Sequence, residues 1–223
     1  MSISLNNVSY SYRSNFQTVN ALNGVSYNFE PGKCYAIIGE SGSGKTTLLS
    51  LMAGLDVPTE GEVIIDGIST RNWDRCKLLR DSISVIYQDD NLFPLLTVQE
   101  NIRYPLDLKK VTKEDAMAKI REVRKRVGLH SSYNKRFPRH LSSSEQQRVA
   151  IARALAKGCS VILADEPTDN PNSTNTHNIV EILTSLAHDD GCTVIIVTHD
   201  YAVAEQVDVV LYMVDGCWRE SED

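Results

Sequence analysis

The stretch Gly39-Glu40-Ser41-Gly42-Ser43-Gly44-Lys45-Thr46-Thr47 decides the fold. It fits G-x-x-x-x-G-K-[ST], a loop that binds phosphate. The apolar run Cys34-Tyr35-Ala36-Ile37-Ile38 leads into it and reads as a buried strand. The stretch Thr46 to Ala53 follows it and reads as a helix. The strand–loop–helix context separates a working loop from a Gly/Ser turn that happens to precede a helix. Its glycines let consecutive backbone N–H groups turn inward around phosphate oxygens. The helix N-terminus adds partial positive charge at the same point. Lys45 reaches the β- and γ-phosphates of a bound nucleotide, and the Thr46 hydroxyl ligates Mg²⁺.

Working outward, four apolar runs read as parallel strands buried on both faces, and each stops at a residue suited to catalysis. Cys34–Ile38 ends at the loop, and Ile83-Ser84-Val85-Ile86-Tyr87 ends at Gln88. Val161-Ile162-Leu163-Ala164 ends at Asp165-Glu166, and Val194-Ile195-Ile196-Val197-Thr198 ends at His199. In an open α/β sheet, ligands bind beyond the carboxyl ends of the strands. One sheet therefore brings Lys45, Gln88, Asp165, Glu166 and His199 to a common edge. Taken singly, Gln88 and His199 are ordinary residues at strand ends, and two carboxylates can be a solvated turn; the joint placement gives them roles. Asp165 holds Mg²⁺ directly or through water. Glu166 polarises the attacking water. Gln88 completes the metal shell, and His199 hydrogen-bonds the γ-phosphate.

Between Gln88 and Asp165 the chain reads as helical. Thr97-Val98-Gln99-Glu100 is a capping box, Thr112-Lys113-Glu114-Asp115 is a weaker one, and Gly128 and Gly158 sit at helix C-caps. Ser2–Tyr12, Ala21–Phe29 and Glu62–Asp66 read as strands flanking the loop.

Length and composition bound the rest. The 223 residues, 42% hydrophobic and 23% charged, suit one large domain or a core with an inserted subdomain. A net charge of −6 argues against a large nucleic-acid-binding face. The densest basic run, Lys119 to Arg126, lies on a helix whose other face carries Ala116, Ile120, Val123 and Val127. It reads as a solvated face. Five cysteines form no metal or C-x-x-C pattern and are expected to be reduced thiols. No apolar stretch approaches membrane-spanning length, so a membrane role needs a separate partner.

With these motifs in order, the chain resembles the ATP-binding cassette (ABC) ATPases nearly end to end. Gly39, Glu40, Ser41, Gly42, Ser43, Gly44, Lys45, Thr46 and Thr47 match their Walker A loop, and Gln88 their Q-loop. Leu141-Ser142 to Arg148 stands at the signature, Asp165-Glu166 at Walker B and His199 at the switch histidine. Asn91 to Glu100 and Asp165-Glu166-Pro167-Thr168 look most like the macrolide-export, lipoprotein-release and cell-division subgroup.

The resemblance implies an α/β P-loop NTPase (RecA-like) core at about 1–88 and 158–223, with an antiparallel β edge subdomain. A helical subdomain is inserted at about 89–157. It implies ATP and Mg²⁺ as cofactors, with Thr46, Gln88 and Asp165 at the metal, and Tyr12 stacking on adenine with Tyr10 as its rival. It implies two cassettes, identical or different, closing head to tail on two ATP molecules, each lending its signature and D-loop to the other. It also implies a membrane permease subunit that Leu92-Phe93-Pro94-Leu95-Leu96 contacts from the cytoplasmic side of the cell membrane, and no nucleic-acid partner.

Two motifs depart from the family pattern. The signature has Ser142-Ser143-Ser144-Glu145 where the family has Ser-Gly-Gly followed by Gln or Glu. The D-loop reads Asp169-Asn170-Pro171-Asn172 and lacks its closing aspartate. What the chain gives its own ATP is intact, whereas what it lends to a partner's ATP is eroded. An ATP-hydrolysing transporter subunit is the first reading; a slow regulatory ATP-binding module is the second. A soluble ABC protein of DNA repair or translation is disfavoured by the single compact cassette and the negative charge.

Overall fold

The computed structural model describes residues 1–14, 16–88, 91–167 and 174–220. Along the chain, strands β1 (Ile3–Arg13), β2 (Thr18–Phe29) and β3 (Cys34–Ile38) precede helix α1 (Lys45–Met52). Then come β4 (Glu60–Ile65), β5 (Ile68–Ser69), α2 (Arg75–Asp81) and β6 (Ile83–Ile86). Helices α3 (Val98–Leu108), α4 (Lys113–Arg126) and α5 (Ser143–Lys157) form a helical block. The chain returns through β7 (Val161–Asp165), α6 (Thr174–Asp190), β8 (Thr193–Thr198), β9 (Val209–Val214) and β10 (Cys217–Arg219).

A six-stranded sheet runs β10-β9-β3-β8-β7-β6, parallel except for β10. The four continuous apolar runs become β3, β6, β7 and β8, as their two-sided burial requires. Their alternate residues serve two different cores. Ala36, Ile38, Ile162, Ala164, Val194 and Ile196 face the layer of α3 to α6. Tyr35, Ile37, Val161, Leu163, Ile195 and Val197 face α1 and the second sheet. That second sheet, β2-β1-β4-β5, is antiparallel and amphipathic. Its inward residues Ile3, Leu5, Val8, Leu22, Val25 and Phe29 are buried.

Local signals explain most of the helix ends. Thr97 and Glu100 form a complete capping box at α3. At α4, Thr112 caps Asp115, but the Asp115 carboxylate meets the Thr112 hydroxyl at 2.8 Å rather than the backbone. Aspartate is one methylene too short for the reciprocal bond. Ala116, Ile120, Val123 and Val127 are buried, so the basic run does lie on an amphipathic helix. Gly158 caps α5 in the left-handed region at φ 63°.

Several boundaries shift from the sequence reading. β2 starts at Thr18, three residues before Ala21, and β6 stops at Ile86, leaving Tyr87 outside the strand. The β9–β10 hairpin has no counterpart in the sequence reading. Its turn is Asp215-Gly216, both at positive φ (48° and 73°), the turn geometry that Asp-Gly pairs favour. The five cysteines are free thiols. Among the described residues, no helix is long and apolar enough to cross a membrane.

Candidate nucleotide site

Strands β3, β8, β7 and β6 are successive neighbours, so the residues beyond their carboxyl ends share one edge. A cleft of about 880 Å³ opens there. Gly39, Glu40, Ser41, Gly42, Gly44, Lys45, Thr46 and Thr47 form its floor, and Tyr12, Gln88, Glu166 and His199 its walls. Ser43 and Asp165 sit just beneath, buried. Ser142, Ser143, Ser144 and Glu145 lie elsewhere, at the start of α5. The D-loop residues Asp169 to Asn172, and Thr168, fall outside the described residues.

The loop is tight where glycine is needed. A Cβ at Gly39 would come within 2.2 Å of the Met213 carbonyl oxygen. One at Gly44, held at φ 106°, would come within 2.4 Å of the Ala21 carbonyl. Gly42, at φ 86°, has open space where its Cβ would stand, so its backbone conformation rather than crowding calls for glycine. Lys45 Nζ donates to the carbonyls of Gly39 (2.6 Å) and Glu40 (2.8 Å), which holds the ammonium in the mouth of the loop. Burial lowers the Lys45 pKa, against the pull of Glu166 and Asp165. A desolvated cation ringed by backbone amides fits a polyphosphate.

The donor set beside it fits a hard cation. The Thr46 hydroxyl meets Asp165 Oδ1 at 3.2 Å. Burial raises the Asp165 pKa, a cost that the Thr46 hydrogen bond offsets in part. Hydroxyl and carboxylate oxygens, completed by phosphate oxygens, suit Mg²⁺.

Glu166 is held on every side. Its backbone takes φ 45°, rare for a residue with a side chain, and its N–H donates to the Val197 carbonyl at 2.9 Å. Its Oε2 accepts from the Thr198 hydroxyl at 2.8 Å and from the His199 N–H at 3.3 Å. Its Oε1 lies 2.9 Å from His199 Nδ1. The left-handed turn aims the carboxylate into the cleft, and Thr198 at the end of β8 and His199 just past it fix both of its oxygens. Such local strain at a strand end marks a working group.

Tyr12 and Tyr10 separate in the structure. Tyr12 is 52% exposed at the cleft wall, its hydroxyl 3.0 Å from Thr47 Oγ1. Tyr10 does not line the cleft, and its hydroxyl donates to the carboxylate of Asp56. The sequence reading missed Thr198, which steadies Glu166, and Val19, Asn20, Ala21 and Tyr201, which also line the cleft. Thr198 ends an apolar strand one residue before His199, a signal that could have found it; Val19 and Asn20 carry none.

The ABC transporter family model matches residues 22–169, about two thirds of the chain. The chain belongs to the ABC transporter family. This ABC ATPase domain is 41% identical over 220 residues to MJ0796 of Methanocaldococcus jannaschii, described as an uncharacterized ABC transporter ATP-binding protein; the match covers 96% of this chain and 94% of that one. It is 39% identical over 201 residues to LolD of Bordetella pertussis, a lipoprotein-releasing system ATP-binding protein, covering 89% and 87%. Its fold superposes on a dimeric post-hydrolysis state of the MJ0796 cassette bound to ADP and Pi with a TM-score of 0.91, at 39% identity, covering 99% and 98%. The ABC domain thus falls near the subgroup its sequence resembles.

Proposed function

We propose that the chain binds MgATP in the cleft above the phosphate loop and hydrolyses it as one half of a cassette dimer. The observation that carries this reading is Glu166, held by Thr198 and His199 at the rim of the cleft whose floor Lys45 and Thr46 form. Gly39 to Thr47 grip the phosphates through backbone N–H groups and Lys45. Thr46, Asp165 and Gln88 would hold the metal, which would supply charge neutralisation on the phosphate oxygens. Tyr12 stacks on the base. Glu166 accepts the proton of the attacking water, and His199 swings its imidazole from Glu166 to a phosphate oxygen. Ser142 to Glu145 and the D-loop serve the ATP of the partner cassette.

The membrane partner is a permease docked on the cytoplasmic side. Phe93 (40% exposed), Leu95 (87%) and Tyr104 (41%) present an apolar patch beside a groove of about 430 Å³. Phe93 and Leu95 belong to the Leu92–Leu96 segment that the family resemblance assigns to that contact, and Tyr104 packs against Phe93 from α3. A second reading, a slow regulatory module, is favoured by Ser143 and Ser144 standing where the family has glycines.

Glu166→Gln tests the catalytic assignment. The amide accepts no proton at neutral pH, so MgATP binding measured by calorimetry persists while turnover falls by about 10²–10⁴-fold. Wild-type turnover in this variant would move the base elsewhere.

A further inference from the structure

Outside the groups already given roles, one set of contacts leads into the cleft. Tyr10 and Tyr12 lie two residues apart on β1 and share a face. Their rings meet edge to face, with centroids 5.0 Å apart and planes at 79°. The Tyr10 hydroxyl donates to the Asp56 carboxylate, in the connection between α1 and β4. Asp56 in turn accepts from the Val57 N–H at 2.8 Å, which fixes its orientation. The Tyr12 hydroxyl meets Thr47 Oγ1 on α1.

We propose that Tyr10, anchored by Asp56, is a positioning residue that fixes the plane of the Tyr12 ring against which the nucleotide base stacks. The proposal rests on the base-stacking role given to Tyr12 above. Tyr12 projects from a strand end, half exposed, and without a lateral contact its ring would rotate about χ1 and χ2. A stacking platform gains affinity when it is fixed before the ligand arrives. The edge of one aromatic ring against the face of another supplies that restraint. The chain of contacts has two anchors, both in the α1 region: Thr47 in its first turn and Asp56 just past its end. The aromatic wall thereby moves as one body with the phosphate loop, which keeps base and phosphate sites in register. The Tyr10–Asp56 bond is charge-assisted, and it persists at neutral pH. The hydrogen bond to Asp56 pushes the Tyr10 pKa up to about 12, and the same bond lowers that of Asp56. Tyr10 therefore stays a donor and Asp56 an anionic acceptor.

A double-mutant cycle on MgATP binding, read by calorimetry on the whole chain, tests this. Tyr10→Ala is expected to weaken binding about threefold to tenfold, the worth of an edge-to-face pair, and to raise KM while leaving kcat in place. Tyr10→Phe keeps the ring edge but loses the anchor, so it falls between wild type and Tyr10→Ala; Asp56→Asn acts in the same direction. In a Tyr12→Ala background, Tyr10→Ala adds no further loss. The same loss in both backgrounds would mean general damage to β1 and would overturn the proposal, as would unchanged affinity in Tyr10→Ala and Asp56→Asn while Tyr12→Ala binds weakly. Unchanged affinity in Tyr12→Ala would instead remove the stacking role itself, and the proposal with it.

Discussion

At the scale of single residues, the site depends on groups held where water cannot relax them. Lys45 is 6% exposed and spends its donors on the carbonyls of Gly39 and Glu40, so its charge is aimed rather than solvated. Lys45→Ala removes a charged hydrogen-bond partner of the phosphates, and MgATP binding should weaken by about 1.5–3 kcal/mol. Calorimetry checks this; unchanged affinity would take Lys45 out of the site. The residue types gathered at the cleft were legible from the sequence because each closes an apolar run. The geometry that fixes them was not. The left-handed turn at Glu166 is invisible to a pattern of residue types, since Glu gives no hint of positive φ. The division between Tyr10 and Tyr12 also needed coordinates: both lie on β1, and only the position of Asp56, forty-four residues past Tyr12 in the chain, separates them.

At the scale of elements, the helices were legible where capping chemistry marks them. The Thr97–Glu100 box formed, and Ser142 and Glu145 make a second complete box at the start of α5. The second has a consequence for the eroded signature. Ser142 Oγ accepts from the Glu145 N–H, and Glu145 Oε2 accepts from the Ser142 N–H at 2.8 Å. The serines at 143 and 144 therefore sit in a well-formed first turn of α5, and the substitution leaves the helix start intact. One element-level device escaped the sequence reading. Asn101 on α3 is fully buried and clamps the loop before it. Its Oδ1 accepts from the Phe93 N–H, and its Nδ2 donates to the carbonyls of Phe93, Leu96 and Thr97. A polar residue inside an amphipathic pattern reads as solvent-facing, so periodicity hides it. Asn101→Ala strands these buried groups and should cost about 1–3 kcal/mol, lowering Tm by several degrees, roughly 2–4 °C per kcal/mol for a domain of this size. Thermal unfolding measures it, and an unchanged Tm would show that the Leu92–Leu96 loop is held by other contacts.

At the scale of the whole molecule, the doubly covered sheet followed from four continuous apolar runs. The C-terminal hairpin was missed although β9, Val209-Val210-Leu211-Tyr212-Met213-Val214, is itself a continuous apolar run and Asp215-Gly216 after it is a hairpin-turn pair; the strands are mostly only half buried. Oligomeric behaviour belongs to this scale too. If two copies of this chain pair, both composite sites receive Ser143, Ser144 and Asn172. The isolated protein should then hydrolyse ATP slowly. The triple variant Ser143→Gly, Ser144→Gly, Asn172→Asp removes the added Cβ atoms and restores the carboxylate. About 1 kcal/mol off the barrier gives roughly fivefold faster turnover. A steady-state ATPase assay of both proteins decides it. High turnover in the unaltered chain with no gain in the variant would show that the serines are tolerated.

The wall behind the phosphate loop comes from far along the chain. The Gly216 N–H donates to the Ser43 carbonyl at 2.9 Å, and Met213 packs where a Cβ on Gly39 would clash. β3 itself lies between β8 and β9, both made late. On the ribosome, the complete nine-residue motif emerges early but remains without its backing strands until residues past 216 have been added. At about 5–20 residues per second, that interval lasts on the order of ten to thirty seconds. The nascent chain thus carries an unbacked phosphate loop for as long as residues 48 to 216 take to be added, and ATP binding by chains stopped before that point is expected to be weak.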